Sequence, residues 1–193
     1  MKQGSIRHFF SATFLIVILP SKVFAAPVTY VDLALGVGVH VIDDSDQGAA
    51  SELIKTGVGI QWLPFLSTQV GIWSWSSENQ SKRDPNEDSE RQNVGLFDGL
   101  SVSWEVAVQW PIENANSVLS SGPYYRYGRH CWSAVLTGLV QPWSKKGCSE
   151  LNTLGFTFPT GSEEDVGLYI EFTQTDFDDL FSSSLQLGAK LAF

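Results

Sequence analysis

Basic residues are scarce in this chain, and no apolar run is long enough for a membrane helix. Twelve Lys and Arg residues stand against 21 Asp and Glu, a formal net charge of −9. Such a chain lacks the positive field that attracts nucleic acid, so we expect no nucleic-acid partner. The longest apolar stretch, residues 9–19, falls short of the roughly 20 residues of a spanning helix. A membrane form of the protein would therefore have to be a closed β-barrel.

Residues that carry enzyme chemistry are also few. The chain has two cysteines and three histidines, with no nucleophile elbow and no zinc-ligand spacing. His40 at the end of the first predicted strand, with Ser89, Asp84 and Asp88 in a later loop, is the one weak hydrolase-like set. We therefore expect no enzyme and no catalytic, cofactor or metal site; a lipid-modifying acyl-transfer or hydrolase activity is an alternative.

The amino-terminus has the pattern of a secretory signal peptide. Lys2 and Arg7 precede the apolar residues 9–19, and Val23 and Ala25 occupy the small-residue positions of a cleavage site. Cleavage after Ala25 would divide the chain into a signal peptide, 1–25, and one domain, 26–193. Those 168 residues carry nine Lys and Arg against 21 Asp and Glu, a formal charge of −12.

The last ten residues alternate between an apolar and a mixed face, as a pleated strand with one lipid-facing side would. Leu185, Leu187, Leu191 and Phe193 share the apolar face, and Lys190 lies on the other. The same period-two pattern recurs along the chain. It predicts an all-β, eight-stranded antiparallel up-and-down transmembrane barrel, with strands at 28–41, 53–62, 67–75, 100–110, 117–129, 154–158, 168–173 and 184–193.

The connections predicted between these strands alternate in kind. Long polar stretches at 42–52, 76–92, 130–150 and 176–179 follow the odd strands, and short proline-marked ones follow the even strands. Outer-membrane barrels have such long outer loops and tight periplasmic turns. Each even strand also ends on an outward aromatic residue, which predicts a girdle at the periplasmic rim formed by Trp62, Trp110, Phe158 and Phe193.

Three segments resemble one known family. They are L-G-F-T-F-P-T-G at 154–161, L-Y-I-E-F-T at 168–173 and L-Q-L-G-A-K-L-A-F at 185–193. In order and spacing the chain is similar to the eight-stranded transmembrane domain of outer membrane protein A and its small relatives. The resemblance implies recognition of Phe193 by the barrel assembly machinery, a plugged or very narrow lumen, and roles in envelope integrity, adhesion or host contact.

Six charged residues are predicted to face the lumen. An eight-stranded barrel is just wide enough for side chains to fill it, so these charges should pair with one another rather than line a water channel. Lys190 on the last strand and Asp32 on the first are expected to pair, since closure makes those strands neighbours. The predicted lumen network consists of Asp32, Lys55, Glu105, Arg126, Glu171 and Lys190.

The two cysteines lie in the same predicted outer loop. In an exported protein the even count favours a disulfide between Cys131 and Cys148. Between them, residues 132–143 read W-S-A-V-L-T-G-L-V-Q-P-W, which is unusually apolar for a solvent loop. Such a segment could fold over the barrel mouth, dip into the outer leaflet or bind a partner.

These patterns together predict an integral outer-membrane barrel of a Gram-negative envelope. Its role would be structural, or an interaction through its outer loops, with little or no porin-like solute path. The expected partners are outer-membrane lipid and lipopolysaccharide, the barrel assembly machinery and a surface partner of the loops. A second alternative is a soluble secreted β-barrel that binds a small apolar ligand, with its apolar strand faces turned inward.

Overall fold

Eight β-strands make up the described part of the chain. The computed structural model describes residues 26–42, 48–77, 95–112, 119–137, 143–158, 165–178 and 180–193. Within them no helix is long and apolar enough to span a membrane. The strands are β1 Val28–Ile42, β2 Gly48–Leu63, β3 Leu66–Ser76, β4 Gly95–Gln109, β5 Gly122–Thr137, β6 Trp143–Phe158, β7 Val166–Phe177 and β8 Leu180–Ala192.

The strands form a closed barrel in which each pairs antiparallel with its sequence neighbours and β1 pairs with β8. The predicted fold class is therefore confirmed. Starting at Tyr30 and moving from each residue to its paired residue on the next strand, one circuit of the barrel returns to β1 at His40. This displacement of ten residues along β1 is the shear of the barrel. The paired residues are, in order, Tyr30, Gly59, Gln69, Glu105, Gly128, Leu151, Thr175, Ser182 and His40.

Side chains alternate strictly between the lumen and the outer surface. Along β5 every second residue is buried and every other one is exposed. The apolar set faces outward, with Leu35 66% exposed, whereas Lys55 is 0% exposed inside. This facing is the predicted one, and it is the reverse of what a soluble barrel with an apolar pocket requires. Turning the strands over would place Lys55 and Arg126 against lipid, at about 2–4 kcal/mol each near the bilayer midplane.

The predicted alternation of long and short connections is wrong. Only the β3–β4 connection, residues 77–94, is long on the side of the predicted outer loops. Five residues separate β1 from β2 and β5 from β6, and two residues, 178 and 179, separate β7 from β8; Asp178 has φ 64°. A positive φ is what a tight two-residue hairpin requires. The strands extend into stretches whose polar composition had indicated loops.

Beyond the end of β3, strands β2 and β4 close the barrel wall by pairing with each other. β3 has 11 residues, so above it β2 and β4 pair directly and in parallel, Ala49 with Gly95 and Ala50 with Leu96. The Ser77 hydroxyl joins the two strands: it donates to the Ala50 carbonyl at 2.6 Å and accepts from the Phe97 N–H at 2.8 Å. The barrel therefore stays closed where its shortest strand ends.

Candidate functional site

A chain of five acidic and basic side chains crosses the middle of the lumen. Lys55 Nζ lies 2.6 Å from Glu171 Oε1 and 3.4 Å from Asp32 Oδ2. The Arg126 guanidinium lies 3.1 Å from both the Glu105 and the Glu171 carboxylates. All five side chains are at most 1% exposed. Each comes from a different strand, so only barrel closure brings them together.

Uncharged donors saturate the carboxylates of this cluster. Tyr169 and the Gln69 amide both donate to Asp32, the amide at 2.7 Å. The Tyr124 hydroxyl donates to Glu171 at 2.6 Å, and the Ser103 hydroxyl donates to Glu105 at 2.5 Å. A buried ion pair is costly unless such bonds satisfy its remaining lone pairs. These donors were not among the residues predicted to form the lumen network, although their inward strand phase is readable in the sequence.

Lys190 is placed differently from the prediction. Its Cα pairs with that of Asp32 across β1 and β8, as expected. Within the described residues, however, Lys190 Nζ has no carboxylate partner within 4.0 Å, because the Asp32 carboxylate is already bonded to other donors. The ammonium instead lies 4.9 Å from the Tyr124 ring centroid, 5.4 Å from that of Tyr30 and 5.5 Å from that of Tyr169. These are cation–π distances, so the expected Asp32–Lys190 ion pair is not formed.

A layer of apolar side chains fills the lumen beyond the charged cluster, toward the end where β7 turns into β8. His40 stacks on Phe97 with the ring centroids 3.7 Å apart, and its Nε2 lies 2.7 Å from the Ser51 hydroxyl. His130 Nε2 lies 2.5 Å from the Thr175 hydroxyl. The remaining members of this apolar layer are Ala49, Leu53, Trp73, Trp75, Trp132, Ala134, Leu136, Leu151, Phe177 and Leu180.

The two cysteines lie in strands and not in an outer loop. Cys131 of β5 and Cys148 of β6 are directly opposed, with their Cα atoms 4.0 Å apart and their sulfurs bonded. The loop expected at 130–150 is wrong for all but residues 138–142, which lie outside the described residues. Trp132, Ala134 and Leu136 point into the lumen, so these described residues of the apolar segment belong to the interior, whereas Val135 is exposed on the outer wall.

The four aromatic residues assigned to the periplasmic girdle lie at one end of the barrel. They stand at or just beyond the ends of β2, β4, β6 and β8, and all are exposed on the outer surface. The Phe193 backbone is held by β1: its N–H donates to the Thr29 carbonyl at 3.1 Å, and its own carbonyl accepts from the Thr29 hydroxyl at 2.8 Å. The last residue is therefore part of the wall.

The geometry gives no support to the hydrolase-like set. His40 is fully buried between Ser51 and Phe97, away from any surface that a substrate could reach. Asp84, Asp88 and Ser89 lie outside the described residues. Within the part of the chain that the structure describes, no group of three or more His, Cys, Asp or Glu side chains could hold a metal ion.

A closed eight-stranded barrel with an apolar outer wall and a filled lumen defines the fold class of small outer-membrane barrels. No known family model and no curated protein matches the sequence. Three solved barrels share the fold at 9–14% identity, which confirms the expected resemblance at the level of the fold.

Each of these barrels matches over nearly its whole length. Neisserial surface protein A has a TM-score of 0.63 at 12% identity, over 86% of this chain and 97% of that one. Ail, the attachment invasion locus protein of Yersinia pestis, has 0.57 at 14%, over 86% and 98%. The N-terminal β-barrel domain of Pseudomonas aeruginosa OprF has 0.53 at 9%, over 85% and 97%.

Proposed function

We propose that the protein is an integral outer-membrane barrel of a Gram-negative bacterium with a structural or surface-interaction role and no solute channel. The observation that carries this proposal is the pairing of a lipid-compatible apolar wall with a lumen blocked by two layers, one ionic and one apolar. The Ail fold supports an interaction role, since that protein was solved in complex with the heparin analogue sucrose octasulfate. The filled lumen speaks against both a porin and an enzyme.

Cell fractionation followed by electrophoresis with and without boiling tests the location. We expect the protein in the outer-membrane fraction, migrating faster unboiled than boiled because the closed barrel resists SDS. Its amino-terminus in that fraction should be Ala26, the residue after the proposed cleavage site. Recovery from the soluble fraction, with no shift on heating, would contradict the proposal and favour a secreted barrel.

Planar-bilayer recording tests the absence of a channel. The purified barrel should give no steady conductance above that of the bare bilayer, because Trp73, Trp75 and Phe97 close the lumen beyond the ionic cluster. Replacement of all three by alanine, in protein still resistant to SDS, should open a leak. Stable openings of the unmodified protein would show that the plug moves.

We also propose that Phe193 is the recognition residue for the barrel assembly machinery. Phe193→Ala should lower the amount assembled in cells but leave refolding of the purified chain into detergent unchanged. Phe181→Ala is the matched control, since Phe181 is an exposed aromatic residue at the other end of the same strand. Equal losses in cells for both variants would contradict a specific role of Phe193.

A further inference from the structure

Among the residues that the structure describes, the cations on the outer wall lie on one hairpin, β5–β6. The structure describes six Lys and Arg residues, of which four follow the inward phase of their strands: Lys55, Arg126, Lys145 and Lys190. Within that described set, only Arg129 and Lys146 face outward, and both are exposed. Arg129 lies two residues from Cys131 on β5, and Lys146 lies two residues from Cys148 on β6, so the two cations flank the disulfide.

An open groove of about 470 Å³ lies on the outer wall beside the disulfide and Lys146. We name it the disulfide groove. Leu100 and Val102 of β4 line it together with the Cys131–Cys148 disulfide, Ser133 and Lys146. Its volume falls within the range of about 300–1,000 Å³ that is usual for small-molecule sites. An apolar groove beside an ammonium group suits an amphiphile with a negative head.

The level of the groove on the wall is fixed by the shear. Cys131 is connected through Val102, Ile72 and Thr56 to Leu33 of β1. A full turn of the ladder shifts ten residues, so half a turn shifts about five. Counted from Leu33, the groove therefore lies level with about residue 38 of β1, between Val37 and Val39. That level is near the upper end of the apolar face of β1, where acyl chains give way to lipid headgroups.

Charges near the groove identify Lys146 as the group that would hold a phosphate. Within the described residues no carboxylate lies within 4.0 Å of Lys146 Nζ. Arg129 stands opposite Glu150 on β6, and that carboxylate reduces its attraction for an anion. Asp98 lies two residues above Leu100 on the outer face of β4 and would repel one. Lys146 is therefore the principal cation, with Arg129 second.

We propose that the disulfide groove binds lipid A, the phosphorylated acyl glycolipid of the outer leaflet. An acyl chain would lie against Leu100, Val102 and the disulfide, and a lipid A phosphate would pair with Lys146. Juxtamembrane cations attract anionic lipid heads in this way. The inference rests on the outer-membrane location proposed above, and it names the lipid and the side chains that the interaction would use.

Titration of the purified barrel with diphosphoryl lipid A in zwitterionic detergent and EDTA tests this site. Lys146→Gln should weaken binding about tenfold, as expected for loss of one charge-assisted contact. Lys145→Gln is the matched control because it removes the same charge one residue away. The Lys145 side chain follows the inward phase and pairs with Asp178 at 2.7 Å, so its removal should change binding by less than about twofold.

Three outcomes would overturn the site: unchanged binding by Lys146→Gln, equal weakening by both variants, or equally tight binding of lipid A without phosphates. Fractionation of cells that express the same chains separates this failure from failure of the proposed function. If the heat-modifiable barrel is in the outer membrane and Lys146→Gln binds normally, only the groove assignment falls. If the unmodified chain is absent from the outer membrane, both fall together.

Discussion

Three lumen tyrosines each cover a glycine on the paired strand. Tyr30 lies over Gly59, Tyr124 over Gly155 and Tyr169 over Gly188, and each pair is directly opposed in the ladder. A Cβ atom at any of these glycines would lie 2.3 Å from the ring carbon that bears the hydroxyl. Glycine is therefore required at these three positions for a ring to reach the lumen cluster.

Gly155→Ala should destabilise the barrel by about 1–3 kcal/mol, the usual cost of overpacking. The new methyl would displace the Tyr124 ring, whose hydroxyl donates to Glu171. Urea unfolding in lipid vesicles measures the effect. Gly99→Ala is the control, since the nearest atom to its Cβ would be the Ala134 methyl at 3.3 Å. Equal losses of unfolding free energy for the two variants would show that the tyrosine contact is not the cause.

The two lumen lysines should differ in their effect on stability. Lys55→Met leaves Asp32 and Glu171 without the cation that bridges them, and breaking a buried pair in this way costs about 3–5 kcal/mol. Lys190→Met removes a cation that bridges no carboxylates within the described part of the chain and contacts tyrosine rings, and because its own burial cost disappears with it, the net loss should be about 0.5–2 kcal/mol. The free energy of unfolding should therefore fall more for Lys55→Met. A larger loss for Lys190→Met would mean that Lys190, and not Lys55, neutralises Asp32.

At the scale of the element, the β5–β6 hairpin carries the disulfide at the upper edge of the lipid-facing belt. Replacement of Cys131 and Cys148 by serine should lower the free energy of unfolding by about 3 kcal/mol, since the bond closes a loop across a sequence separation of 17 residues. A reductant should destabilise the unmodified protein by a similar amount and leave the double variant unchanged. An unmodified protein that is insensitive to the reductant, while its thiols are shown to be free, would contradict this expectation.

The same hairpin shows why the sequence predicted the barrel but not its height. Within the membrane belt the apolar face points outward, as along 100–110, and the predicted strands agree with the structure. Beyond Cys131 the period of two continues with its polarity largely inverted: Trp132 and Leu136 face inward and Ser133 faces outward, with Val135 the one described apolar residue still exposed on the outside. The wall there projects past the lipid, so it follows the rule for water-facing sheets. Because this segment lacks the apolar outward face of the membrane strands and contains Lys145 and Lys146, its sequence resembled that of a solvent loop.

The charged lumen could be predicted as a set but not as a network. Strand phase alone places Asp32, Lys55 and Lys190 inside. Which ammonium group reaches which carboxylate depends on the shear, which moves partners by ten residues in one turn of the wall, and on hydroxyl donors from other strands. The polar phase of Tyr124 and Tyr169 was visible in the sequence. Their bonds to carboxylates on other strands were not, because these contacts form only when the barrel closes.

At the scale of the whole molecule, the apolar belt should reveal the position of the membrane. Leu33 and Val41 lie on the outward face of β1 with similar exposure, 47% and 40%. Eight residues of a tilted strand separate them by roughly 20 Å along the barrel axis. If the aromatic rim marks one interface, a belt about 25 Å tall places Leu33 near the midplane and Val41 beyond the opposite edge.

Arginine at these two positions therefore tests the membrane assignment with one chemical change. In lipid vesicles Leu33→Arg should lower the free energy of unfolding by about 2–4 kcal/mol, whereas Val41→Arg should cost about 0–1 kcal/mol. In a water-soluble barrel both guanidinium groups would be solvated, and the two costs would be alike. If depth in the bilayer sets the cost, the loss of unfolding free energy should be much larger for Leu33→Arg than for Val41→Arg. This difference should shrink when shorter-chain lipids make the bilayer thinner. If the two arginine variants lost the same unfolding free energy in thick and in thin bilayers, β1 would not face lipid. That result would contradict the outer-membrane proposal.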